Sequence, residues 1–291
     1  MEIPQKIYLQ LGQQRVLVLD DSHSDRVRCD HPNSSDGRAI AYFLIGAATC
    51  HGRTKVLTMV DERLIDELRG QGFTLAGTMP RFYGGERACG VLTYNLADER
   101  RNLANPKEVA RAEEIFSGHD PLDVEEISEG TSMETVRAKA EDAERIAELI
   151  DKTFFDYPTP SHDPDYIRAQ ILEGTPFRFI EEEGRLVACA SADLIREART
   201  AELTDCATLP EFRKRGFMLA LLTDLISDLE GIQYKSAFTY ARARVPGINV
   251  LFKKLGFEFC GSIHQSCRIG EGLEDMNMWI RDLPLGTAEK S

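Results

Sequence analysis

Apolar and polar residues change their period several times along the chain, and each change marks an element. KIYLQLG and QRVLVLD, within 3–30, read as two short strands of a meander. HPNSSDG (31–37) is rich in turn residues. Ser35 or Asp36 there is placed to cap a helix over 38–50, which stops at Cys50-His51-Gly52. TKVLTMV (54–60) predicts a strand, DERLIDELRG (61–70) a helix, FTLAGTM (73–79) a strand and ACGVLTYNL (88–96) another. ADERRNLANPKEVARAEEIF then predicts a helical connector, and SGHDPLDVEEISEG a linker.

The second half is cleaner. METVRAKA (133–140) predicts a strand, and 140–154 a helix, with apolar residues at 143, 146, 147, 150 and 154. YPTPSHDPD (157–165) is a loop, followed by a short helix over 165–173 and a hairpin over 176–195 that turns at Glu183-Gly184. A strand (198–209), a helix (214–229), a strand (236–243), a helix (247–255) and strands at 257–263 and 274–280 complete the pattern. There is an internal echo. Residues 64–96 can be laid on 249–283, with Gly72-Phe73 on Gly256-Phe257, Gly77 on Gly261, and VLTMV on AFTYA. The chain thus divides into an N-terminal half-copy (1–97), a connector (98–131), a full second domain (132–283) and a tail (284–291).

Composition changes this picture only at one point. Of 291 residues, 42% are hydrophobic and 29% charged, ordinary for a globular protein, and the net charge is −13. That balance argues against a nucleic-acid or membrane-surface partner, either of which asks for a basic face. Seven scattered cysteines form no CxxC pair, and six histidines form no HxxxH or HExxH, so no metal site is expected. The start, MEIPQKIYLQLGQQ, lacks a signal-type apolar region, and AIAYFLIGAATC is shorter than the ~20 residues a bilayer span needs. The expectation is a cytoplasmic protein.

The point of change is TDCATLPEFRKRGFMLALL (204–222), where Arg213, Lys214 and Arg215 gather at a helix start. A helix N-terminus carries partial positive charge, so three cations there are unfavourable in isolation. A bound polyanion reverses the sign, because backbone N–H groups and guanidinium groups then share the same phosphates. Gly216 lets the backbone come close. The turn therefore reads as a phosphate cradle, or as a solvated basic helix start held by Glu211 or neighbouring acids.

PEFRKRGFM after an extended strand resembles the acetyl-CoA-binding motif of the GNAT N-acetyltransferase superfamily, R/Q-x-x-G-x-G/A. Arg213 and Gly216 match it, and Met218 stands where the family has Gly or Ala. LFKKLGFEFCG (251–261) resembles the second signature of that superfamily. The likeness covers roughly 133–283. YPTP, AELTDCATLPEFR, YARA, EDMNMW and, earlier, RFYGGE (81–86) are similar to the β-lysine N-acetyltransferases over nearly the whole chain. The resemblance implies an α/β (α+β) fold with a mixed, mostly antiparallel central sheet flanked by helices, preceded by a degenerate half-domain of the same type. It also implies acetyl-CoA as cosubstrate without a metal, a small cationic amine as acceptor, and a compatible solute as product. The oligomeric state stays open, a homodimer included.

Under that resemblance the roles fall as follows. Arg213, Lys214, Arg215, Gly216, Phe217 and Met218 hold the pyrophosphate, and the main chain of Ala207 and Thr208 pairs with the pantetheine arm. A lysine-type amine is neutral in only about one molecule in 2,500 at pH 7, so a base is needed. Glu202 is the preferred base. Asp205, three residues on, faces the other side of a regular strand unless a bulge intervenes, and is an amine anchor. The position where the family carries a tyrosine acid is Phe252 here, which leaves Tyr240 as the nearest proton donor. Asn249 touches CoA or caps its helix. Arg242 takes the substrate carboxylate, and Glu274 and Asp275 its amine. Trp279 reads as core. The alternatives are another amine (lysine, a polyamine, a protein amine) or a non-catalytic acyl-CoA-binding sensor.

Overall fold

The computed structural model describes residues 4–11, 13–32, 34–123 and 133–284. The boundary expected at 131/132, the second half of the linker before it, the first three residues and nearly all of the tail lie outside the described residues. The N-terminal part runs β1 (Gln5–Leu11), β2 (Gln14–Asp21), β3 (Arg26–Asp30), α1 (Gly37–Cys50), β4 (Lys55–Asp61), α2 (Ile65–Arg69), β5 (Thr74–Tyr83) and β6 (Arg87–Asn95). Helix α3 (Pro106–Ser117) follows. Then come β7 (Val136–Arg137), α4 (Ala143–Thr153), α5 (Pro164–Leu172), β8 (Phe177–Glu182), β9 (Arg185–Ile195), β10 (Thr200–Thr208), α6 (Phe217–Gly231), β11 (Ser236–Arg242), α7 (Pro246–Lys254), β12 (Glu258–Ile269) and β13 (Gly272–Asp282).

Among the described residues the strands form one 13-stranded sheet, in the order β1-β2-β3-β4-β6-β5-β12-β13-β11-β10-β9-β8-β7. Read outward from the β5–β12 junction, the order is symmetric. β6 matches β13, β4 matches β11 and β3 matches β10; the outer pairs β3–β4 and β10–β11 are parallel, and the inner pairs antiparallel. At the junction Gly261 is the register partner of Gly77, the two glycines that the internal echo superposes. Each backbone sits against the other. A Cβ at Gly77 would lie 2.1 Å from the Cys260 carbonyl oxygen, and one at Gly261 2.2 Å from that of Ala76.

Strand parity distributes the core. In β4, Val56 and Val60 face α1, while Leu57 and Met59 face the opposite way. In β11, Ala237 and Ala241 join the helix-side core, while Phe238 and Tyr240 turn toward Leu57 and Met59. β4 and β11 are separated within the sheet by β6, β5, β12 and β13, yet the Tyr240 hydroxyl meets Met59 Sδ at 3.2 Å and Phe238 packs on Phe82 with centroids 5.2 Å apart. The sheet therefore curls, and its concave face lies between the two halves. Polar ties hold the curl. Arg26 Nη1 donates to Ser266 O at 2.9 Å, Lys55 Nζ to His264 O at 2.6 Å, and buried Arg100 reaches Ser24 O and Gln265 O at 3.2 and 2.9 Å.

Local departures from the sequence reading have local causes. The strand expected over 133–140 shrinks to β7, because the chain turns into a 3₁₀ helix at Ala140–Asp142. The helix expected over 61–70 splits into a 3₁₀ turn and α2, with Asp61 accepting from the Arg63 N–H. The helix expected from 214 starts at Phe217, because Lys214 and Gly216 both take positive φ, 64° and 83°. Asp36, as expected, caps α1 through the Ala39 N–H at 2.9 Å.

Candidate active site

Strand β10 stays paired with β11 only at Thr200, Ala201 and Glu202. Its symmetry mate β3 stays paired with β4 from Arg26 through to Asp30. The difference is a bulge. Between Thr204 and Ala207 the β10–β9 register shifts, and Asp205 takes φ 49°. A left-handed Asp is tolerated better than most side chains, and bulges re-aim their residues. Past Glu202 the parallel strands part, and the β11-facing edge of Cys206–Thr208 is left for an added extended chain.

The bulge also decides where Asp205 points. Thr204 is the cross-strand partner of Ser191, and Glu202 that of Asp193, so these four share a face. Asp205 accepts from Ser191 Oγ at 2.8 Å and from Ser161 Oγ at 2.9 Å, so its carboxylate has been brought round to that face. Burial raises its pKa, against the two hydroxyls. Its observed work is to tie the 153–163 loop to β9. Asp205→Ala is expected to cost about 1–3 kcal/mol in urea unfolding, since it strands two buried hydroxyls.

Glu202 stands on the concave face beside Phe238 and Tyr240, by pairing and parity. Burial pushes its pKa up to about 7, against the pull of Arg28, with Asp30 and Asp205 adding to the rise. Asp193 is also held well above the ordinary carboxylate range, first by burial and then by Asp205 and Glu202. Tyr157, stacked on Phe154 at 4.6 Å, and Tyr166 of α5 also feel Asp205 and Glu202, and burial keeps both phenols protonated. Tyr240 is likewise held neutral by burial. The result is an acidic cluster with tyrosines around it. Two of its charged members, Arg28 and Asp30, come from the N-terminal half and were not singled out from the sequence. The internal echo contained the signal, because Arg28 pairs opposite Leu57 as Glu202 pairs opposite Phe238.

The basic turn is open. Arg213, Lys214, Arg215 and Gly216 are exposed, and no side chain caps α6. Left-handed Lys214 and Gly216 flank Arg215, a backbone form that turns N–H groups toward one concavity. Arg213 Nε donates to Thr208 O at 3.2 Å. Arg215 forks onto Glu182 and lies over the Phe217 ring at 4.9 Å, so it is partly neutralised. Phe217 is buried and Met218 half-buried against the core.

Four expected contacts are corrected. Asn249 is fully buried. Its Nδ2 donates to Arg242 O and Val245 O, and its Oδ1 accepts from Asn277 and Trp279, so no valence remains for a ligand. Phe252 is core, packed on Phe257 at 5.1 Å. Glu274 is taken by Arg242 and Arg244. Asp275 accepts from the backbone N–H groups of Ala104, Asn105 and Gln265. Neither carboxylate is left for a substrate amine. Arg242, tied to Glu274, lines a cleft of about 470 Å³ together with Phe154, Phe155 and the 269–273 hairpin tip.

Residues 143–257 match the acetyltransferase (GNAT) family. Through this stretch the chain is similar to the GNAT N-acetyltransferases. It is 39% identical over 142 residues to the β-lysine N(6)-acetyltransferase of Methanosarcina mazei, covering 49% of this chain and 52% of that protein. It is 29% identical to the N-acetyltransferase YodP of Bacillus subtilis over 91% of this chain and 96% of that one. The chain thus spans about half the length of the Methanosarcina relative and nearly all of the Bacillus one. Among solved structures, a GNAT phosphinothricin acetyltransferase of Sinorhizobium meliloti in complex with acetyl-CoA is 24% identical, over 54% of this chain and 91% of its own, with a TM-score of 0.45.

Proposed function

We propose that the protein is an acetyl-CoA-dependent N-acetyltransferase that acts on the side-chain amine of β-lysine, yielding a compatible solute. The observation that carries the reading is the parting of β10 from β11 directly after a buried carboxylate, with an uncapped basic helix start at its far end. The name of the Methanosarcina relative supports the substrate.

In this reading the pantetheine arm lies along Ala207 and Thr208 as an extra strand. Arg213, Lys214, Arg215 and the N–H groups from Gly216 to Met218 hold the pyrophosphate. Glu202 takes the proton from the ammonium. The free amine attacks the thioester carbonyl and an N–C bond forms; the C–S bond then breaks and CoA leaves as a thiolate. Tyr240, protonated and on the Glu202 face, gives its proton to the sulfur and takes the second proton from the acylated nitrogen, which leaves the neutral amide. A buried carboxylate with a pKa near 7 is matched to this task, since it is both ionised and basic at neutral pH.

Thiol release from acetyl-CoA, compared among β-lysine, lysine, spermidine and a basic peptide, tests the reading. Preference for β-lysine supports it, preference for another amine discards the substrate, and silence on all four with acetyl-CoA still raising Tm points to a sensor. Arg213→Ala with Arg215→Ala is expected to raise the KM for acetyl-CoA on the order of tenfold, with Tm little changed. An unaltered KM removes the cradle.

A further inference from the structure

The two halves of the sheet put an unequal pair face to face. Arg28 in β3 and Glu202 in β10 occupy equivalent positions, because the hydroxyl of Thr58 bonds Cys29 O at 2.7 Å as that of Thr239 bonds Leu203 O at 2.8 Å. Val27 and Cys29 point into the α1-side core, so Arg28 and Asp30 lie on the concave face. The Arg28 guanidinium lies 5.9 Å from the Tyr240 ring centroid, beside the proposed acid. Its Nε donates to Asp30 Oδ2 at 2.6 Å. Among the described residues, Nη1 and Nη2 have no partner, and Asp30 Oδ1 is a buried acceptor without one. An unpaired fork of donors next to an orphaned carboxylate oxygen is complementary to a carboxylate and an ammonium carried by one molecule.

Resting on the reading above, we propose that Arg28 and Asp30 of the N-terminal half are the specificity determinants of the acceptor: Arg28 binds the carboxylate of a diamino acid and Asp30 its second ammonium, while the distal amine lies at Glu202. The half-domain then lacks a CoA slot for a physical reason. Its β3–β4 pair stays closed through Asp30, and the closed pair presents recognition groups where the open pair admits the cofactor. Arg242 is the poorer fork, because Glu274 already occupies it.

The test uses the full chain and three acceptors: β-lysine, 1,4-diaminopentane (no carboxylate) and 6-aminohexanoate (no second amine). Wild type is expected to favour β-lysine over both in kcat/KM. Arg28→Ala should lose on the order of 10- to 100-fold for β-lysine and level it with 1,4-diaminopentane. Asp30→Asn should level it with 6-aminohexanoate. The KM for acetyl-CoA should not move in either, a split that a merely structural role does not give. Arg28→Ala should also shift the rise of kcat to higher pH. Of the groups around Glu202, only Arg28 and Arg26 favour its charge, whereas Asp30, Asp193 and Asp205 oppose it, and Tyr157, Tyr166, Tyr240 and Cys206 are neutral there. Arg28→Lys should restore the pH position but not the carboxylate preference. Equal wild-type use of β-lysine and 1,4-diaminopentane, or a preference that survives Arg28→Ala, overturns the inference while leaving N-acetyl transfer standing. Absence of turnover with every amine overturns both.

Discussion

Glu202→Gln is expected to lower kcat on the order of 10²–10⁴-fold and to abolish its rise through pH 7. The carboxylate is raised to about 7 first by burial, which penalises its charged form. Below that pH it is protonated and cannot accept the ammonium proton, so kcat climbs as pH increases and levels off above it. Gln keeps the shape and removes the titration. Stability separates chemistry from folding. An acid whose folded pKa exceeds its unfolded value binds more protons when native, so stability falls as pH rises from the ordinary Glu range to about 7. Gln removes that loss. Its Tm at pH 8 should equal or exceed that of wild type while activity collapses. Wild-type activity in the Gln variant would remove Glu202 as the base.

Gly77→Val is expected to be the most damaging single change to the fold. Its Cβ would sit 2.1 Å from the carbonyl oxygen of Cys260 and 2.5 Å from Met278 Cε. The methionine can move, but the carbonyl belongs to β12, and the clash is relieved only by parting the two half-sheets. That junction aligns the curl that brings Arg28 to Glu202. A fall in Tm of roughly 10 °C or more is expected, with activity lost in the same preparation. Gly46→Ala is the control. Nothing lies within 4 Å of its Cβ, and in the middle of α1 an alanine is expected to stabilise by about 0.5–1 kcal/mol. If thermal unfolding shows the two variants alike, the glycine pair does not hold the junction.

Much of the architecture was legible because its causes are local. Period-two runs gave strands and the 3.6-residue runs helices, and Asp36 announced its cap. The basic turn was visible from charge against dipole, and Glu202 was nominated through the family resemblance. The errors at Asn249, Glu274 and Asp275 share a cause. Each was read as a free polar group, but its partners lie in segments remote in sequence or in backbone N–H groups, and neither carries a sequence signature. Asp205 shows the limit of parity arguments. One bulged residue with φ 49° reverses the face that counting assigns.

The sequence by itself determined most of the elements, the repeat of the half-sheet and the basic turn Arg213–Gly216, since each rests on neighbours in the chain. Only the tertiary structure decided which carboxylates are already partnered, that β10 parts from β11 while β3 does not part from β4, and that Arg28 and Asp30 come near Glu202. The last of these depends on the pairing of β5 with β12, strands more than 150 residues apart, and on a sheet curled about two glycines whose contact no local propensity encodes.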